Sequence, residues 1–464
     1  MIADSNDTKK HSWDSAERAP SDLNIAIVGT GVAGLGAAWL LSQRHRVTLY
    51  ERNDYAGGHS NTVEISDHGR TTSVDTGFIV YNERNYPNLT ALFRILRVDT
   101  QASSMSFAVS LEDGRLEYCG NGLAGMFAQR RNLASVSMWH MIADIIRFYR
   151  SARTAAGAFQ DGVTIGEFLR RHHYSRAFAN RHLMPMIAAI WSLPPQAAAN
   201  IPLTALVAFF ENHGLLQLQN RPSWRTVSGG SRQYVSRLIA SMGRPVQVER
   251  AIEKIVRTAD GVVLRDRLGV LHNHDGVIVA THADEALGLL AMPTAEEREI
   301  LNRFRYHSNR TVLHSDPRLM PRRRKVWSSW NVLGAMDPDG PVGVTYWMNR
   351  LQRLSNATPL FVSLNPPKEP KSTLTHRTFS YDHPILDAGA LSAQRQLDRI
   401  QGLGGVWYCG SYFGHGFHED ALRSGLEIAE RFGIQRPWRT DGVLDIAELE
   451  GDPRLQTQAG VQGG

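Results

Sequence analysis

The chain of 464 residues has two cysteines, Cys119 and Cys409. That leaves no disulfide framework, no paired redox cysteines and no zinc spacing, and it fits a reducing, cytoplasmic setting. Lysine is scarce, and the net charge of +6 comes almost wholly from arginine. A charge this mild reads by default as a solvated surface, with attraction to anionic lipid or substrate as the alternative, and no nucleic-acid partner is expected. No run approaches the ~18 consecutive apolar residues of a spanning helix. The first twenty-two residues are polar, lack an apolar core and read as a disordered leader. No Ser-His-Asp arrangement, metal-ligand pattern or second dinucleotide fingerprint is visible.

What is present is organised around Ile25-Ala-Ile-Val28 followed by Gly29-Thr-Gly31-Val32-Ala33-Gly34. An apolar strand runs into a G-x-G-x-x-G turn, and an alanine-rich helical stretch, 36–42, follows. Gly29 makes the tight turn, Gly31 admits a pyrophosphate close to the backbone, and Gly34 lets helix and strand pack closely. The phosphates then meet the unpaired N–H groups of the helix N-terminus. A second strand, 46–50, ends at Glu51, where the motif expects an acid on the ribose hydroxyls. An acid there favours FAD or NAD over NADP.

A glycine pair, Gly57-Gly58 before His59, marks either close backbone approach to a ligand or an ordinary loop. Residues 74–81 alternate into a strand. Between 85 and 215 the pattern is helical, with stripes at 139–150, 165–171 and 202–210, broken at Pro185, Pro194 and Pro195. Such stripes are ordinarily core, with a lipid-facing surface as the alternative. A second glycine pair, Gly229-Gly230, opens an amphipathic stretch, 234–242. Strands are expected at 246–248, 252–257, 261–265, 277–280, 342–347 and 360–364. The basic run Arg322-Arg-Arg-Lys325 reads as a solvated loop or an anionic-headgroup site. Residues 406–425 read as strand, glycine-rich loop and helix, with Glu419 and Asp420 suited to the positive helix end. Beyond about Gln435 the chain trails off.

These motifs resemble the glutathione-reductase-type FAD fold of the flavin amine oxidase and phytoene desaturase superfamily. The matching positions are Gly29, Gly31, Gly34, Glu51, Gly57, Gly58 and Gly410, with the last helix opening near Asp420 and Ala421. Blocks such as 105–110, 121–128, 190–192, 213–217, 221–224, 327–331, 344–347 and 414–420 are similar to one subgroup: bacterial flavoproteins related to the flavoprotein half of plant cyclopropane fatty-acid synthases. The resemblance runs from about residue 23 to 432. It implies an α/β fold in which a discontinuous Rossmann FAD domain, 23–84, 225–295 and 400–434, joins a mixed-sheet and helical substrate domain, 85–224 and 296–399, with 435–464 as a tail.

The FAD contacts it implies are Gly29, Gly31, Val32, Ala33, Gly34, Glu51, Arg52, Gly57, Gly58, His59, Gly77, Phe78, Ile252 (beside the adenine), Ala280, Gly410, Ser411, Asp420 and Ala421. No metal is implied. The implied activity is FAD-dependent hydride transfer to or from a fatty-acyl chain of a lipid, with a cyclopropane-synthase-like lipid methyltransferase as partner and peripheral contact at the inner face of the membrane. Amine or polyamine oxidation is one alternative, and a non-catalytic flavin-binding accessory protein is another. Amine oxidases of the superfamily commonly place a lysine near the flavin; the comparable strand, 308–312, has Arg310 and no lysine. Candidate acid–base residues are His418, Glu419 and Tyr81, followed by His415, Asn82 and His213, because histidine is the commonest such residue.

Overall fold

The computed structural model describes residues 22–67, 69–158, 162–191, 198–212, 216, 222–335, 342–355 and 358–439. His213, Pro194, Pro195 and the leader before residue 22 lie outside the described residues, as does the tail from 440 onward.

The nucleotide strand Asn24–Val28 is buried and sits between Arg46–Tyr50 and Gly276–Val279 in a parallel sheet, with Val406–Tyr408 outermost beside Gly276–Val279. Buried parallel strands of this kind read as continuous apolar runs, and Ile25 to Val28 is one. Residues 246–248 form no strand; Gln247 instead extends the sheet by one parallel bridge to Tyr50. The fingerprint helix Val32–Leu41 is buried on every side. It packs against the C-terminal helix His418–Arg431, where Gly425 presses on Ala33 and Gly36 on Leu422. A Cβ on Gly425 would stand 2.1 Å from the Ala33 carbonyl oxygen. Glycine is what lets the helices come this close, and the contact sets both N-termini on one cavity.

A seven-stranded mixed sheet forms the second layer, in the order Thr375–Ile385, Arg305–His314, Phe361–Leu364, Val342–Trp347, Trp330–Gly334, Phe107–Leu111 and Leu116–Cys119. Helices from the 136–212 block cover part of it, and their shared core holds Phe148, Phe168, Phe178, Ile187 and Phe210. Pro185 does not break its helix. The preceding residues Ala179–Leu183 widen into a π-helical turn and the chain continues as Met184–Trp191.

The strand expected at 74–81 is interrupted. Arg70–Asp75 pairs with Thr62–Asp67, and pairing resumes only at Tyr81–Asn82, against Trp224–Val227. The cause is a crossing: Phe78 N donates to the His59 carbonyl at 2.7 Å, and a Cβ on Gly77 would lie 2.2 Å from that oxygen. The 322–325 run keeps Arg322, Arg324 and Lys325 exposed, as a solvated stretch would. Arg323 pairs with buried Glu117 at 2.7 Å, Arg322 lies 4.0 Å from Asp113, and Arg324 stacks over Trp327. Of the four cations, Arg323 is the one committed to a buried acid.

Among the described residues no helix is long and apolar enough to cross a membrane.

Candidate active site

The strand ends, the two helix N-termini and the seven-stranded sheet enclose a cavity of about 1200 Å³. Gly29, Gly31, Val32, Ala33, Glu51, Arg52, Gly57, Gly58, His59, Gly77, Phe78, Ile252, Ala280, Gly410, Ser411 and Ala421 all line it. Tertiary structure therefore brings four distant segments to one wall. Gly34 stands behind that wall, where a Cβ would lie 2.1 Å from the Gly29 carbonyl oxygen. Asp420 also stands behind it: its Oδ2 accepts from the backbone N–H of His415 at 3.0 Å and of Phe417 at 3.2 Å, which holds the glycine-rich loop in shape.

At Gly31 a Cβ would meet nothing within 4 Å. The first bond of the following helix runs from Leu35 N to Gly31 O, so the N–H groups before it have no intrahelical acceptor. Gly58, with φ at +56°, would bring its Cβ to 3.1 Å from the Gly31 Cα, and Gly57 N donates to Thr30 O. The glycine pair thus folds onto the backbone of the fingerprint turn. Glu51 is buried; one carboxylate oxygen accepts from Thr30 N and Oγ1, the other from Asn53 N and Nδ2 at 2.9 Å. The carboxylate braces the turn that it shares with the cavity. Arg52, at the mouth, is paired with Glu285 at 2.6 Å.

His418 lines the cavity with its ring stacked on Phe78, centroids 3.9 Å apart and planes 7° from parallel. Its Nε2 lies 2.7 Å from the Tyr234 hydroxyl and 3.3 Å from Ser60 Oγ. Burial pushes it down to about 3, so the ring is neutral around pH 7. His59 is held well below its ordinary value by burial and by His383, His282 and His418, and its buried Nε2 has no protein partner. His59, His282, His383, His415 and His418 all line the cavity; the sequence reading singled out neither His282 nor His383. They come from segments far apart in the chain, so no local spacing announces them. No group of three or more His, Cys, Asp or Glu among the described residues is arranged to hold a metal.

Two candidate acid–base residues are corrected. Tyr81 is buried edge-on against Tyr86 and Phe93, in the apolar core and not among the cavity's lining residues. Glu419 caps the helix Pro87–Ile95, accepting from Asn88 N, Asn88 Nδ2 and Leu89 N at 2.7–3.0 Å. Asn82 is likewise buried, its Oδ1 accepting from Asn85 N. Cys409, next to Gly410, is fully buried and its thiol is pushed up to about 12 by burial, so it carries no thiolate chemistry.

The far end of the cavity is apolar. Met105, Phe107, Met186, Ile190, Phe209 and Trp330 line it, and the acids that line the cavity, Glu51, Glu285 and Asp382, belong to the end near Arg52. No described lysine lines it, and Arg310 pairs with Glu369 on an exposed face.

The family model for flavin-containing amine oxidoreductases matches residues 32–432. The chain belongs to this family. Among curated relatives, a carotenoid phi-ring synthase of Streptomyces griseus is 33% identical over 174 residues, 33% of this chain and 32% of that protein. The chain thus spans about a third of that relative's length. Among solved structures, a fatty acid isomerase producing CLA from P. acnes superposes with a TM-score of 0.63 at 16% identity, covering 89% of this chain and 99% of that one. Cyclohexylamine oxidase from Brevibacterium oxydans superposes at 0.61, also at 16% identity, over 89% and 98%. These likenesses establish the fold: a mixed α/β FAD-binding amine-oxidase fold.

The cavity fits the family's cofactor, FAD. An open Gly31, two helix N-termini and a buried, unpartnered imidazole nitrogen suit a long anionic dinucleotide. Gly31, Val32, Ala33, Gly57 and Gly58 would hold its phosphates and Glu51 its ribose. When bound, FAD supplies two-electron oxidation or reduction. The family assignment makes the chain an FAD-dependent oxidoreductase.

Proposed function

We propose that this oxidoreductase acts on fatty-acyl chains of lipids, introducing or removing a carbon–carbon double bond. The observation that supports this most is the far end of the cavity, whose walls are methionine, isoleucine and aromatic side chains without a carboxylate. An alkyl chain needs such walls and little else, because the protein's task is to hold a C–H bond in place and exclude water. An ammonium substrate would lose its hydration there with no counter-charge to replace it. The family's name favours amine oxidation as a second reading.

Anaerobic titration of the FAD-loaded protein separates the two. Bleaching of the oxidised-flavin absorption by phospholipid with saturated or methyl-branched chains, and not by polyamines, is the expected result for a desaturase. For a reductase, chemically reduced flavin is reoxidised by unsaturated lipid. Bleaching by amines alone would overturn the acyl-chain reading.

A further inference from the structure

The helix Val136–Ala158 turns Met138, Met141, Phe148 and Ala152 into the protein. A helix of this kind ordinarily shows a polar outer face. This one shows Val136, Trp139 and Ile146, exposed by 69%, 48% and 37%. The two short helical turns before it, Gly122–Met126 and Arg130–Ala134, add Leu123 at 66% and Leu133 at 53%. Trp139 joins these pieces: its ring packs against Phe127 with centroids 4.9 Å apart, and its Nε1 donates to the Leu133 carbonyl at 2.9 Å. Five of the eleven large apolar side chains exposed among the described residues thus fall between 123 and 146, which makes a patch and not a scatter.

The net charge of this block is positive. Residues 120–191 contain nine arginines against three acids, a net of +6 that equals the net charge of the whole chain. Asp144 is buried and committed to Ser175 N and Arg147. Arg130 and Arg150 are exposed and make no ion pair with a described residue. A second copy docking here would set like charge on like, whereas an anionic surface meets both the charge and the apolar side chains. The inner face of Val136–Ala158 shares one core with the helices that send Met186, Ile190 and Phe209 into the apolar end of the cavity.

We propose that this face docks on an anionic bilayer, with Leu123, Leu133, Val136, Trp139 and Ile146 at the headgroup–acyl boundary and the arginines on lipid phosphates. The cavity's apolar end then lies on the membrane side of the molecule. The docking stands on the surface alone and does not depend on the acyl-chain reading.

Flotation of the full-length, FAD-loaded chain with vesicles tests it without any turnover. The protein is expected to float with phosphatidylcholine and phosphatidylglycerol in equal parts, to stay behind with phosphatidylcholine alone, and to be released by salt. Arg130→Gln with Arg150→Gln should weaken binding roughly tenfold or more, from the typical contribution of a cation at such a surface. Leu123→Ser with Val136→Ser should abolish flotation while FAD content and circular dichroism stay unchanged. Failure to float with anionic vesicles, or flotation indifferent to both pairs of substitutions, overturns the proposal. So does a dimer in sedimentation that the serine pair dissociates with no flotation at all, since the face would then belong to a second copy.

Discussion

Gly31 separates what the fold needs from what the cofactor needs. Its φ of −62° suits any residue, and a Cβ there meets no protein atom. Gly31→Ala is therefore expected to fold with unchanged or slightly higher thermal stability. FAD affinity should fall roughly tenfold or more, because a phosphate kept away from the helix N–H groups forfeits charge-assisted hydrogen bonds. Calorimetry of apoprotein and flavin titration read the two effects separately. His418 makes the opposite point: a histidine in the cavity is not thereby a proton carrier. Burial holds it near 3, and Tyr234 and Phe78 fix its ring. The pH profile of kcat/KM should show no His418 break between about pH 5 and 8, and His418→Asn should keep the parent's limbs. A break near pH 6 that vanishes in the variant would show that His418 titrates.

At the scale of elements, the crossing of the fingerprint helix with the C-terminal helix decides the geometry of the cavity. Gly425→Ala drives a methyl group into the Ala33 carbonyl, which cannot give way as a side-chain tip could. A loss of about 1–3 kcal/mol is expected from overpacking, together with weaker FAD binding as the two N-termini separate. Urea unfolding and flavin titration measure both. Glu419 belongs to the same helix but faces the Pro87–Ile95 N-terminus. Glu419→Ala should cost about 1–3 kcal/mol, the typical toll of buried donors left unpaired, and leave the bound-flavin spectrum as it was. A changed spectrum with unchanged stability would reverse that assignment.

For the whole molecule, buried histidines set the response to acid. His182, His274, His314 and His383 are each pushed down to about 4 by burial and His418 to about 3, and His59 is held well below its ordinary value. Each stays uncharged in the fold but binds a proton in the unfolded chain below the ordinary value of 6.5. The unfolded state then holds more protons, so stability should fall as pH drops from about 6.5 towards 4. Asp75, raised to about 6 by burial, works the other way: it is protonated earlier in the fold and recovers a part of the loss. Thermal melts across this range should show Tm falling by several degrees. A flat Tm would mean that these rings are hydrated in solution.

The nucleotide-binding half was legible because its signals are local. A buried parallel strand is a short apolar run, a fingerprint is three glycines at fixed spacing, and a helix start is a loop followed by acids, all read within a dozen residues. The lining from Ile252, Ala280 and Gly410 required the family resemblance, since those residues join Gly29 on one cavity only through the tertiary fold. Tertiary structure alone decided the rest. Whether Glu419 faces a cavity or a neighbouring helix, whether Arg323 is solvated or paired to Glu117, and which stripe of Val136–Ala158 turns inward depend on packing partners far away in sequence. A periodic apolar pattern says that one face of a helix is buried. It does not say that the other face, which carries Trp139 and Ile146, stays apolar and in contact with solvent.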